Sequence, residues 1–204
     1  MRRRPVFSDF GRGVVPGIAV ATALVLSQPL LRAAKSPVMI GGPFTLTSSD
    51  GSAVTEQTYR GKWLLVYFGY TFCPNTCPTT LLEITAALER LGPDAAKVQP
   101  IFITVDPKRD TPDVMAKYTQ SFDSRIVGLS GTPEQIAAVA QEYGVYYVAH
   151  KSGDSANDYT MDHSTYLYVM DPQGQFMQAF DADTSANRIA DDLLRLVRQE
   201  DTAH

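Results

Sequence analysis

The chain has 204 residues, 44% hydrophobic and 20% charged, an ordinary globular composition that can fill one sizeable core. Its formal net charge of -4 leaves no basic patch of the kind that binds nucleic acid. No repeat or long low-complexity segment is present, which excludes solenoids and fibrous architectures.

Arg2, Arg3, Arg4 and Arg12 precede an uncharged stretch from Gly13 to Leu31. As a helix, Val14 to Leu31 would span about 27 Å, close to one hydrocarbon core. Only Arg32 and Lys35 follow closely. The positive-inside bias therefore puts the N-terminus in the cytoplasm and the rest on the exported side, the periplasm for a bacterial inner membrane. The length favours a retained anchor over a cleaved signal peptide, and Arg32-Ala33-Ala34 is a poor cleavage site. Either way the domain is exported. The expected division is 1–34 basic tip and anchor, 35–42 tether, 43–200 folded domain and 201–204 tail.

Phe44 to Thr47 and Ser52 to Thr55 flank a Ser-Asp-Gly turn and read as a hairpin that covers one edge or end of the main sheet. Trp63 to Phe68 is a continuous apolar run, the signature of a buried strand. After the loop that follows it, Leu81, Ile84, Leu88 and Leu91 recur at helical steps, and Gly92-Pro93 ends the pattern. Val98 to Val105 reads as a second buried strand. Thr111 and Thr132, each followed by proline, read as N-caps of helices running to about Phe122 and to Tyr143, with Gly144 as the C-cap of the second. Ile126 to Leu129 and Val145 to Ala149 are short strands, and Lys151 to Asp158 is a polar loop. Thr165 to Met170 and Gln175 to Phe180 are strands joined by an Asp-Pro-Gln-Gly turn. Ser185 to about Gln199 closes the chain as an amphipathic helix. Strands alternating with helices, then a terminal hairpin and helix, predict an α/β fold: a thioredoxin-like mixed sheet flanked by helices.

The only two cysteines, Cys73 and Cys77, sit where the first core strand hands over to its helix, each followed by proline. Pro78 suits the first helical turn, which puts Cys77 at or beside the N-cap. Free N–H groups and the helix dipole favour anions there, so both thiols are expected to titrate below the usual value of about 8.5. A thiolate attacks disulfides and binds soft metals. A purely structural bridge is the weaker reading, because so short a loop constrains the unfolded chain little.

Of the three histidines, His204 is terminal and His150 precedes a charged loop and reads as solvated. His163 lies just before the strand Thr165 to Met170, where a thioredoxin-type core faces the cysteine loop. No proline lies between Pro133 and Pro172, so histidine stands where redox thioredoxins place a cis-proline. Two thiolates and an imidazole make a metal site. Zinc would normally want a fourth ligand, whereas copper is content with two soft sulfurs and a nitrogen. Asp162 is expected to orient the site and Asp106 to neighbour it, or to cap its own Asp-Pro turn.

Three blocks together resemble the Sco/SenC family of copper metallochaperones: Gly69-Tyr70-Thr71-Phe72-Cys73-Pro74-Asn75-Thr76-Cys77-Pro78, Val105-Asp106-Pro107-Lys108-Arg109-Asp110-Thr111-Pro112, and Asp162-His163-Ser164. The resemblance implies a thioredoxin-like fold and one copper ion, Cu(I) or Cu(II), held by Cys73, Cys77 and His163. It implies delivery to the dinuclear copper centre of cytochrome c oxidase subunit II, and reduction of that subunit's cysteines. Other exported copper chaperones or thiol reductants are the further partners it suggests.

Two functions compete for the same cysteines. A membrane-tethered carrier needs the imidazole; a thiol–disulfide oxidoreductase cycling Cys73 and Cys77 does not. The pair is one residue wider than the usual Cys-x-x-Cys, which favours convergence on an external ion. A peroxidase reading is weaker, since Tyr70 occupies the position of the threonine in Thr-x-x-Cys.

Overall fold

The computed structural model describes residues 40–155 and 158–201. The expected anchor at 14–31, most of the tether and residues 202–204 lie outside the described residues. Among the described residues no helix is long and apolar enough to cross a membrane.

Among the described residues nine strands and four α-helices follow one another. They are β1 (Thr45–Ser48), β2 (Ala53–Thr55), β3 (Trp63–Gly69), α1 (Thr76–Leu91), β4 (Val98–Thr104), α2 (Pro112–Gln120), β5 (Val127–Ser130), α3 (Pro133–Glu142), β6 (Tyr147–Lys151), β7 (Tyr159–His163), β8 (Tyr166–Met170), β9 (Phe176–Asp181) and α4 (Ala186–Asp201). Seven strands form one sheet in the order β2-β1-β5-β4-β3-β8-β9. β3, β4 and β5 run parallel, while β8 pairs antiparallel with β3. All seven residues of β3 are buried, as befits a strand with both faces covered. Its fully enclosed Tyr67 and Phe68 anchor the core beside Phe102 of β4.

The N-terminal hairpin lies where an edge needs cover: β1 pairs antiparallel with β5, Thr47 opposite Ser130. The turn holds because Asp50 accepts from the Ser48 hydroxyl and the Ser52 amide. Both expected threonine caps are present. Thr111 accepts from the Val114 amide, and Thr132 forms a reciprocal capping box with Gln135. Gly144, at φ 64, takes the left-handed position one residue beyond the Tyr143 C-cap.

Two expectations change. The first helix begins at Thr76 behind the N-cap Asn75, so Cys77 lies one residue further into the helix than a position beside the cap, while Pro78 stands in the first turn as expected. The first turn tolerates this because its amides have no intrahelical acceptor. The polar loop is shorter than 151–158, because Lys151 belongs to β6, and Tyr159 to His163 is a strand in its own right. β6 and β7 pair only with each other, Tyr147 opposite His163, and form a ribbon outside the main sheet. Mutual pairing, not an apolar pattern, makes β7 a strand.

Candidate metal centre

The cysteine loop leaves β3 at Tyr70 and is tied down at once. Asp110, fully buried, accepts from the Thr71 amide at 3.0 Å, the Thr71 hydroxyl at 2.6 Å and the Thr104 hydroxyl at 2.7 Å. The Ser130 hydroxyl donates to the Asp110 carbonyl at 2.6 Å. The carboxylate thus fastens the loop to the end of β4, and the backbone carbonyl of the same residue ties in the end of β5. Burial pushes the Asp110 carboxyl above its ordinary range, opposed by the hydrogen bonds from Thr71 and Thr104.

Beyond this knot, Cys73 is half-buried and Cys77 is enclosed. Both are free thiols. The Cys77 amide donates to Cys73 Sγ at 3.4 Å, so this sulfur serves the helix end much as a capping oxygen would. Gly69 leaves room for the second sulfur: a Cβ there would stand 2.7 Å from Cys77 Sγ and 2.7 Å from the Phe102 ring.

His163 completes the trio from the end of β7. Its Nε2 lies 3.7 Å from Cys77 Sγ, and the two sulfurs and a ring nitrogen all lie within 4.8 Å of one another. Its Nδ1 lies 2.8 Å from the Ser164 carbonyl. A carbonyl only accepts, so in the neutral ring the Nδ1 carries the proton and the Nε2 lone pair faces the sulfurs. The Tyr70 ring stands perpendicular to the imidazole at 5.9 Å, and Tyr67 flanks it at 6.5 Å.

The two thiols were expected to share one fate, and they do not. The Cys73 thiol is lowered to about 4, chiefly because the Cys77 thiol hydrogen-bonds to its sulfur, with His163 and the Cys77 and Asn75 backbones adding to this against the cost of burial. Cys77 is pushed strongly upward, first by donating to Cys73 and then by burial. Two sulfurs this close do not both ionise in a dry site without a cation between them. Tyr67, whose hydroxyl lies 3.8 Å from Cys77 Sγ, is likewise pushed up by burial.

The sequence model of the SCO1/SenC family matches residues 32–198. The chain belongs to the SCO1/SenC family. It is 40% identical over 184 residues to protein SenC of Rhodobacter capsulatus, covering 87% of this chain and 82% of that one. It is 39% identical over 161 residues to the mitochondrial SCO1 homolog 1 of Arabidopsis thaliana, covering 78% of this chain but only 48% of that longer protein. The structure of Bradyrhizobium japonicum ScoI with copper bound matches at 48% identity with a TM-score of 0.71, covering 76% of this chain and 98% of that one. A thioredoxin-like α/β fold with a mixed sheet is thereby established for this SCO1/SenC chain.

The two acidic residues singled out beside the site sit differently. Asp162 alternates with His163 along β7 and faces outward, paired with His150 Nε2 at 3.0 Å; both side chains are exposed. His150 is thus a surface residue on the ribbon's outer side. Asp106 is buried and grips Arg109 Nε, while the Tyr159 hydroxyl donates to its other oxygen at 2.7 Å. Its side chain does more than cap an Asp-Pro turn. Asp110, Arg109 and Tyr159 had no assigned role in the sequence reading. For the first two, the available signal was a pair of charged residues between a buried strand and a capped helix, inside a block that carries the family resemblance.

Proposed function

We propose that this chain carries copper, held by the Sγ atoms of Cys73 and Cys77 and by Nε2 of His163. It then assists assembly of the dinuclear copper centre of cytochrome c oxidase subunit II. The observation that carries the reading is the convergence of two soft sulfurs and an imidazole nitrogen, from two distant segments, within 4.8 Å of one another. Their chemistry fits the cargo: thiolates and an imidazole select copper over hard cations. The ring is already turned to offer a lone pair, because its other nitrogen is engaged. The charge pattern of residues 1–35 supports a membrane tether with the domain in the periplasm.

One observation favours a second activity at the same site, thiol–disulfide exchange with an exported client. Cys73 is accessible and thiolate-prone, while Cys77 beside it is buried and protonated. Cys73 would attack a client disulfide, form a mixed disulfide and release one client thiolate. Cys77 would then lose its proton, attack Cys73 Sγ and release the second client thiolate. Two electrons pass to the client, and the Cys73–Cys77 disulfide forms. Carrier and reductant exclude each other at any instant, since the disulfide cannot hold the ion.

Anaerobic titration of the full chain with Cu(I), followed by transfer to an isolated oxidase subunit II fragment, tests the carrier. Cys73→Ala and Cys77→Ala are each expected to abolish stoichiometric Cu(I) binding. His163→Ala is expected to weaken Cu(II) and alter its visible spectrum while sparing dithiol oxidation. Stoichiometric Cu(I) retained by Cys77→Ala, or an unchanged Cu(II) spectrum in His163→Ala, would contradict the assignment.

A further inference from the structure

We propose that Arg109 is a positioning residue for His163: its guanidinium clasps the far end of β7 to the cysteine loop and so sets the reach of the imidazole toward the sulfurs. The inference rests on the copper-site reading and names a residue that acts on that site through the histidine.

The ribbon that carries His163 has little of its own to hold it. β6 and β7 share no ladder with the main sheet, and a lone pair of strands is marginal in water. Its near end, where the chain enters β8, is closed by a further cross-strand pair: the Ser164 amide donates to the Tyr146 carbonyl at 2.9 Å, and the Tyr146 amide donates to the Ser164 hydroxyl at 3.0 Å. Its far end begins at Tyr159, four residues before His163, on the same face and about 13 Å away at the usual rise of a strand.

At that far end Arg109 makes three kinds of contact at once. Its Nη1 donates to the Tyr159 carbonyl at 2.9 Å. Its guanidinium carbon lies 3.7 Å from the centre of the Tyr159 ring. Its Nε bonds Asp106, which also takes the Tyr159 hydroxyl. The same guanidinium lies 4.6 Å from the Phe72 ring and 5.7 Å from the Tyr70 ring. Phe72 immediately precedes Cys73, and Tyr70 packs edge-on against His163. One cation therefore touches the loop of the first sulfur and the strand of the histidine. The Asp106 and Arg109 side chains are only 4% and 8% exposed, so water does not replace what either would lose. A planar, multi-donor group is what this geometry needs; an ammonium supplies the charge but not the plane.

The test begins without metal. In the copper-free full-length chain, Arg109→Ala and Arg109→Lys are expected to speed amide exchange along β7 by about tenfold or more, with β3 and β4 unchanged. Tyr159→Phe, which keeps the ring but loses the bond to Asp106, is expected to have a smaller effect. Cu(II) affinity is expected to fall roughly 10- to 100-fold in Arg109→Ala, the range for losing a group that orients a ligand. In a His163→Ala background the same change is expected to cost nothing further, because the clasp acts through the ring. Arg109→Lys, which keeps the charge and loses the plane, carries the comparison should Arg109→Ala fail to fold. Wild-type exchange along β7 in both Arg109 variants, or losses that add in the double variant, overturns the clasp. Wild-type affinity in His163→Ala alone removes the copper-site reading, and the copper-free exchange still decides whether Arg109 holds the ribbon.

Discussion

The imidazole of His163 offers Nε2 to the sulfurs only because the Ser164 carbonyl has claimed its Nδ1 proton. The same economy governs the cysteines, where each thiol's charge depends on its neighbour. With Cys73 lowered to about 4 and Cys77 raised, labelling at about pH 6 is expected to modify Cys73 rapidly and leave Cys77 intact. In denaturant at the same pH both should react slowly, and peptide mapping after iodoacetamide treatment reads the difference. Asp110 gives a pH dependence of stability with a definite sign. Its folded-state value is raised, so the folded chain binds this proton more tightly than the unfolded chain does. The stability it adds is full below its ordinary value of 3.8 and is lost as pH rises through the folded value. The stability advantage of wild type over Asp110→Asn should therefore shrink as pH rises above 3.8, measured by urea unfolding across that range. Asp110→Ala, which strands the Thr71 amide and the Thr104 hydroxyl, is expected to cost about 2 kcal/mol or more.

At the scale of elements, the helix starts were legible because they are local. Thr111-Pro112 and Thr132-Pro133 state a cap and a first turn within two residues, and both helices begin there. Thr132→Ala is expected to cost about 1 kcal/mol by removing the capping box of α3 while leaving the Cys73 labelling rate unchanged. α3 packs against β1, at the other side of the sheet order from β3 and β8, so its cap and the metal centre should be separable. β7 was not legible. Its Tyr-Thr-Met-Asp-His alternation runs over only five residues with none fully buried, and it pairs with β6, which presents mostly exposed residues. Such a ribbon is defined by its partner and by what clasps it, neither of which is written in its own five residues.

The whole molecule places two sulfurs and one imidazole, 86 residues apart between Cys77 and His163, at one end of a seven-stranded sheet. β3 and β8 are neighbours, so the loop leaving the first and the segment entering the second must meet. A ligand that binds only this assembled trio stabilises the folded state by mass action. Copper at about a thousandfold above its dissociation constant is expected to add about 4 kcal/mol and raise Tm by on the order of 10 °C. Removing the metal with a chelator should return the Tm to that of the copper-free chain, and the Cys73→Ser/Cys77→Ser chain should show no shift.

The sequence by itself determined the strand-to-helix placement of Cys73 and Cys77, the capped helices, the mixed α/β order and the candidate donor set. Each of these is expressed in short spacings or in periodicity. Only the tertiary structure decided that Cys77 is held protonated while Cys73 ionises. Only it showed that Asp110 fastens the cysteine loop, and that Asp106, Arg109 and Tyr159 bind the histidine's strand to that loop. Burial and mutual distance set the charge of a thiol and the partners of a buried arginine, and both arise only when distant segments pack together.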